Sequence, residues 1–189
     1  NWNVNYDGDG NANNLLDWDS DGDGFGDGEE INQGADPSDP NSVPFTETVY
    51  EDAEDAEIFG WQVYDDIPAG ADVINVDDLD FGSRVIELLG TGRKNGYRLM
   101  LSDYTKWHND SQFVIQWKQR FDENYAIYVG VMTSAGQRYL TYVPEDTSDL
   151  GSGQYVYHGL EPKVMDDEWY RITRDLQADL AIAQTGVVI

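Results

Sequence analysis

From Gly60 onward the chain is a series of short apolar or alternating runs, each cut off by turn residues. The runs are Gly60–Asp65, Ser83–Gly90, Gly96–Asp103, Gln112–Phe121, Tyr125–Thr133, Gln137–Val143, Gln154–Leu160 and Glu168–Leu176. β-Branched and aromatic residues dominate them, and side chains two positions apart share a face. In Gln112–Phe121 this period puts Phe113, Ile115, Trp117 and Phe121 on one face and Gln116, Lys118 and Arg120 on the other. In Tyr125–Thr133 it turns Ile127, Val129 and Val131 toward a core and Tyr128 away from it. Gln137–Val143 presents either Arg138 and Tyr142 or Tyr139 and Thr141 outward. The pattern predicts an antiparallel β-sandwich or barrel. Gly90–Gly96, between two such runs, reads as a hairpin loop. Only Thr173–Gln184 has a helical period, with Leu176, Leu180 and Ala183 at i, i+4 and i+7. Thr185–Ile189 reads as the start of another strand. Trp61 and Trp169 open alternating runs and are expected in the core, whereas Trp107 and His108 fall in a loop.

The first 44 residues follow another rule. They hold 11 acids and no Lys or Arg, and they are rich in Gly, Asn and Asp. Ala35–Pro44 carries three prolines and reads as a stiff linker, so the boundary is placed near Pro44. Within this region Asp19–Glu30 reads DSDGDGFGDGEE. Counting Asp19 as position 1 puts Asp21, Asp23, Phe25, Asp27 and Glu30 at positions 3, 5, 7, 9 and 12, with Gly24 at the sharp turn. That is a full calcium-loop pattern. Ca²⁺ takes six to eight hard oxygens at about 2.3–2.6 Å. Asp19, Asp21, Asp23 and Glu30 supply carboxylates, Phe25 its carbonyl, and Asp27 binds directly or through water. Gly28–Gly34 then reads as a short helix ended by Gly34. A looser copy precedes it. One register uses Asn5, Asp7, Asp9, Asn11 and Asn13, and another begins at Asn3. Asn ligands bring less charge, so this second Ca²⁺ site would be the weaker one.

Charge and composition narrow the function. The chain has 37 acids against 11 Lys and Arg, a net charge of −26. Nucleic acid and anionic membrane surfaces both need basic partners, so neither is expected. No apolar run is long enough to span a bilayer. With no cysteine there are no disulfides, and metal ions are the available cross-link. The two histidines, His108 and His158, form no metal or nucleophile motif, and the acidic pairs sit in turns, so no catalytic residues are assigned. Carbohydrate binding needs aromatic platforms and amide or guanidinium hydrogen bonds. Arg98, Gln116, Lys118, Arg120 and Tyr128 are the candidates on a sheet face suited to a polar or anionic polysaccharide, and Trp107 is a candidate platform from a loop. Chain ends at Asn1 and Ile189 read as those of a fragment.

Asp17–Pro40, with its acidic loop, Glu-Glu helix and Gly-x-Asp-Pro exit, resembles the thrombospondin type 3 repeats of bacterial secreted proteins. The resemblance implies an extracellular, calcium-rigidified spacer between modules. Phe59–Leu99 and Glu168–Leu180 resemble jelly-roll modules appended to bacterial polysaccharide-degrading enzymes, with Tyr50–Asp55 as the preceding strand. That implies a β-jelly roll, glycan binding, and in some members a structural calcium, for which Glu51, Asp52 or Asp55 are at hand. The expected chain is mostly β: a calcium-loop repeat segment with one short helix over 1–44, then an antiparallel β-sandwich, a jelly roll, over 45–189, truncated at its C-terminal end. The expected role is a non-catalytic, calcium-stabilised carbohydrate-binding module of a secreted bacterial protein. The alternative is a structural spacer or adhesin segment with no small ligand. Expected partners are polysaccharide and the other modules of a longer parent chain.

Overall fold

The computed structural model describes residues 18–42, 44, 47–147, 149–160 and 162–189. The chain divides into two compact units, Asn1–Asp52 and Ala53–Ile189. The division thus falls later than Pro44. The looser calcium loop, with Asn5, Asp7, Asp9, Asn11 and Asn13, lies outside the described residues.

In the first unit one helix, α1 (Asp27–Gln33), follows the acidic loop. It ends as its sequence requires. Gly34 takes φ +79°, its N–H donates to the Ile31 carbonyl (3.3 Å), and the Ala35 N–H donates to the Glu30 carbonyl (2.8 Å). This double bond pattern satisfies carbonyls that a helix end leaves open. The Pro-rich segment beyond it is turned rather than extended. Asp36 Oδ1 accepts from the Ser38 N–H and hydroxyl, and Asp39 Oδ1 accepts from the Asn41 N–H and side-chain amide. Asx turns of this kind compete with an extended chain wherever Asp precedes Pro-Ser or Pro-Asn.

The second unit is mostly β. Its strands are β1 (Trp61–Asp65), β2 (Asp72–Asp78), β3 (Ser83–Leu89), β4 (Gly96–Leu99), β5 (Val114–Gln119), β6 (Ile127–Thr133), β7 (Gly136–Val143), β8 (Tyr155–Gly159) and β9 (Tyr170–Asp175). The helix α2 (Leu176–Ala183) follows directly, with Asp175 accepting from the Ala178 N–H as its N-cap. Strands β1 and β4, β2 and β3, and β5 and β9 pair antiparallel, and β6, β7 and β8 form a three-stranded sheet. The core lies between the inner faces of β6–β8 and β5–β9, closed by α2. Leu140, Tyr142, Val156, Leu176 and Leu180 are its buried centre, and Ile115, Trp117, Ile127, Val129 and Val131 pack on it. The alternation read from Gln112–Phe121 and Tyr125–Thr133 therefore describes the inner faces correctly.

Four local expectations change. Strand β2 is absent from the runs read as strands, because its DVINVDD sequence hides the alternation under three aspartates. Strand β8 pairs with β7 in parallel, with Tyr139 opposite Tyr155 and Tyr142 opposite His158, so the sandwich is not purely antiparallel. Hydrophobic alternation cannot distinguish the two directions, since both put every second side chain inward. Gly90–Gly96 is not a hairpin loop: β3 is paired with β2, and β4 with β1. Thr185–Ile189 forms no strand. The Val188 N–H and the Ile189 N–H donate to side-chain oxygens of Ser134 and Gln177 instead of to a ladder.

One polar network crosses the core edge. Asp179 of α2 is buried and accepts from the Tyr142 hydroxyl (2.8 Å) and from the Arg174 guanidinium through both of its oxygens. Arg174 also lies 5.3 Å over the Tyr142 ring. Burial and the neighbouring carboxylate push the Tyr142 phenol far above its ordinary range, so it donates at any working pH. Removing the shared acceptor leaves a phenol and a guanidinium unmatched. Asp179→Ala is expected to lower unfolding free energy by about 3 kcal/mol. Tyr142→Phe, which removes only one donor, should cost about 1 kcal/mol. Urea unfolding followed by tryptophan fluorescence measures both.

Candidate functional site

The acidic loop is built so that Asp19, Asp21 and Asp23 are each oriented by the backbone that follows them. Asp19 accepts from the Gly22 N–H (2.9 Å) and the Gly24 N–H (3.0 Å). Asp21 accepts from the Asp23 N–H (3.2 Å), and Asp23 from the Phe25 N–H (2.8 Å). Gly24 has φ +100°, a conformation that only glycine adopts freely, and it lets the loop close tightly enough for these bonds. Asp19, Asp21 and Asp23 each offer a carboxylate oxygen within 4.8 Å of the others. Asp27 is committed differently: its two oxygens accept from the Ser20 N–H (2.7 Å) and the Ser20 hydroxyl (2.6 Å). Sequence reading gave Ser20 no role, although a hydroxyl between two loop aspartates was a visible signal.

Glu30, on the inner side of α1, is the most telling group. It is 0 % exposed, yet neither of its oxygens has a hydrogen-bond partner. Asp21 Oδ2 and Asp23 Oδ2 are buried and unpartnered as well. A buried acceptor left unmatched costs about 1–3 kcal/mol, and more when it is charged. Burial, and then the charges of Asp21, Asp23, Asp27 and Asp19, push the Glu30 carboxyl up to about 7. Asp21 is raised too, first by burial and then by its acidic neighbours. Hard carboxylate oxygens gathered in this way are the donor type that a hard cation takes.

The residues expected to bind sugar are not brought onto one surface. Arg98 is on β4 and donates to Gln62 of β1. Gln116 and Lys118 are on β5, where Gln116 donates to Thr173 of β9 (2.9 Å) and the Lys118 ammonium sits 4.8 Å over the Phe81 ring. Arg120, just past β5, meets Asp78 (3.0 Å), Asp167 (3.3 Å) and Asp80 (3.8 Å) and lies over Trp169, which itself packs on Phe81. Arg120 therefore fastens the β2–β3 turn to the segment before β9. Trp107 is half-buried in the loop after β4. Tyr128 of β6 remains outward and half-exposed. Tyr139 and Thr141 share its face, whereas Tyr142 is core and Arg138 binds Gln184. Tyr155 and Tyr157 of β8 complete that face. They were missed as candidates, although their i, i+2 spacing in Gln154–Leu160 marked them. Among the described residues, Glu51, Asp52 and Asp55 do not form a metal-sized cluster of the Asp19–Asp21–Asp23 kind.

The raised Glu30 carboxyl sets a pH dependence for the metal-free loop. The unfolded segment loses this proton near the ordinary glutamate value, and the folded one only near 7. Between those points the folded state holds more protons, so its stability falls as pH rises. With divalent metal removed, amide protection across α1 is expected to be higher at pH 5 than at pH 8. Glu30→Gln should abolish the difference. Equal protection of the wild type at both pH values would contradict this reading.

Among curated proteins no match to this chain is found. The family model described as D-glucuronyl C5-epimerase, beta-sandwich domain, matches residues 84–185. The match runs from β3 through α2, takes in both faces of the core, and leaves the acidic loop outside. It covers more than half of the chain, and its second unit is the β-rich structure that the family's description names; the chain belongs to the D-glucuronyl C5-epimerase beta-sandwich domain family.

Proposed function

We propose that Asp19–Glu30 holds one Ca²⁺ and that the chain is a non-catalytic, calcium-stabilised module whose sandwich binds carbohydrate. The buried Glu30 carboxylate carries the first part. Its two unmatched oxygens feel the charges of Asp21, Asp23, Asp27 and Asp19, and a divalent cation bound by the Asp19–Asp21–Asp23 cluster and reached by Glu30 would relieve that repulsion. The ligands would be the carboxylates of Asp19, Asp21, Asp23 and Glu30 and the Phe25 carbonyl. Asp27, whose oxygens Ser20 already occupies, would act through a bridging water. Binding free energy at such a loop is folding free energy, because the carboxylates repel one another without the ion. The resemblance to bacterial thrombospondin type 3 repeats fits this role and argues for an extracellular setting, where Ca²⁺ is abundant. The finer jelly-roll description of the sandwich belongs to the same reading.

Carbohydrate binding is supported by the name of the family, which refers to a glucuronyl sugar, and by the tyrosines gathered on one face of the three-stranded sheet. A second reading, a spacer or adhesin segment without small ligand, is favoured by the dispersal of Arg98, Gln116, Lys118 and Tyr128 over three separate sheets. Retention on a polysaccharide affinity matrix separates the two.

Calorimetric titration of Ca²⁺ into chelator-treated protein tests the loop. Saturable uptake is expected, with one site weakened at least about tenfold in Glu30→Gln. Asp21→Ala should also loosen the first unit while the sandwich keeps its own unfolding transition. Only weak uptake that disappears with added salt would make the loop a solvated acidic tract.

A further inference from the structure

Resting on the carbohydrate reading, we infer that the outward face of β6, β7 and β8 is where the sandwich takes its glycan, and that this glycan is a neutral polysaccharide. Strand register builds the face in two rows. Gly130, Tyr139 and Tyr155 stand opposite one another in the first, and Tyr128, Thr141 and Tyr157 in the second. Gly130 has no side chain to compete for the space, and the Tyr139 ring lies 3.5 Å from where its Cβ would be. The Tyr139 and Tyr155 rings stack, with centroids 5.3 Å apart and planes 20° apart. Tyr128 meets Tyr155 edge-on at 6.3 Å and 80°. Thr141 is fully covered between them, so the rings form a continuous floor rather than separate side chains in water. Tyr128, Tyr155 and Tyr157 nevertheless keep 54 %, 44 % and 38 % of their surface exposed. Burial, and then the neighbouring phenols of Tyr157, Tyr64 and Tyr155, hold the Tyr128 phenol above its ordinary range, so it is neutral at working pH.

Such a face suits a sugar chain. Phenol rings accept the apolar C–H side of a pyranose, and their hydroxyls and the Gln137 amide can bond its hydroxyls. The rings already brace one another, so little side-chain freedom is lost on binding. The distribution of charge argues for a neutral glycan. No outward position on these three strands carries a charged side chain. The whole protein carries −26, and Arg84, Arg120 and Arg174 are each tied to aspartates of the same unit. A uronate polymer would approach a repelling surface and find no guanidinium waiting on this face.

The test is affinity electrophoresis and calorimetry, with Ca²⁺ present, against neutral β-1,4-glucan and galactomannan and against alginate as the uronate polymer. The variants are Tyr128→Ala, Tyr155→Ala, their double, and Gln116→Ala/Lys118→Ala on β5. Circular dichroism and thermal unfolding check that each stays folded. The expected result is binding to a neutral polymer, insensitive to salt, reduced at least about tenfold in the tyrosine double variant and unchanged in the β5 variant. If the wild type binds a glycan that the tyrosine variants still bind, carbohydrate binding stands and this face falls. Loss in the β5 variant instead would move the site to β5–β9. Preference for alginate, declining with salt, would overturn the neutral class. No binding to any polymer would overturn the carbohydrate reading as well. Dimerisation abolished by the tyrosine changes, without glycan retention, would make the face a contact between copies of the chain.

Discussion

Thirty-seven carboxylates share this chain with 11 Lys and Arg. Any fold that draws the carboxylates together must neutralise them where they meet, because at 4 Å two like charges repel by about 4 kcal/mol near a protein surface. The two units meet this constraint by different means. The second has cations of its own. Arg120 gathers Asp78, Asp80 and Asp167, Arg84 meets Asp77, and Arg174 meets Asp179. The first unit has no Lys or Arg within residues 1–44, and it still gathers Asp19, Asp21 and Asp23 and buries Glu30 within reach of their charge. Backbone N–H groups satisfy only part of that set. On the proposed reading a bound divalent ion would supply the remaining positive charge, and without it the Glu30 carboxyl holds its proton to higher pH.

The same constraint explains the location of the cations in the sandwich. A basic residue on an outer strand face of an acidic protein is a scarce resource, and the fold uses it where carboxylates converge. Arg120 alternates outward from β5, as a sugar-binding residue would, but the β2–β3 turn supplies two aspartates and the approach to β9 a third. Its guanidinium then stacks on Trp169, extending the clamp with an aromatic contact. Arg174 likewise serves the inner network with Asp179 and Tyr142. Polar positions that look free along one strand are partnered by neighbours brought in from elsewhere.

How much of this could be read in advance depends on whether the controlling interaction is local. The helix after the acidic loop and its end at Gly34 are set within a few residues, and they were legible. So were the inward faces of β5 and β6, since alternation and burial are the same statement for a half-covered strand. Helix α2 was legible from Leu176, Leu180 and Ala183, and its cap, Asp175, adjoins it. Strand β2 was not, because its aspartates are matched by cations outside the strand, Asp77 by Arg84 across the β2–β3 pair and Asp78 by Arg120 beyond β5. The parallel pairing of β8 was not legible either. It depends on the path of residues 144–154, and nothing in the Tyr155–Gly159 sequence differs from an antiparallel strand.

The family match sharpens rather than ends the functional question. A family named for a glucuronyl sugar suggests an anionic ligand. This chain combines its sandwich with a net charge of −26 and an uncharged tyrosine face. Fold membership fixes the arrangement of strands but not the side chains on the outer face, and recognition is decided by those side chains. The outward positions of β6, β7 and β8 offer ring faces, hydroxyls and an amide, and they offer no fixed charge. Aromatic stacking is nearly independent of ionic strength, whereas recognition of carboxylates by guanidinium weakens as salt screens it. On the proposed reading, the outer face of β6, β7 and β8 would hold a polysaccharide without drawing on basic residues, which this unit commits to its own carboxylates.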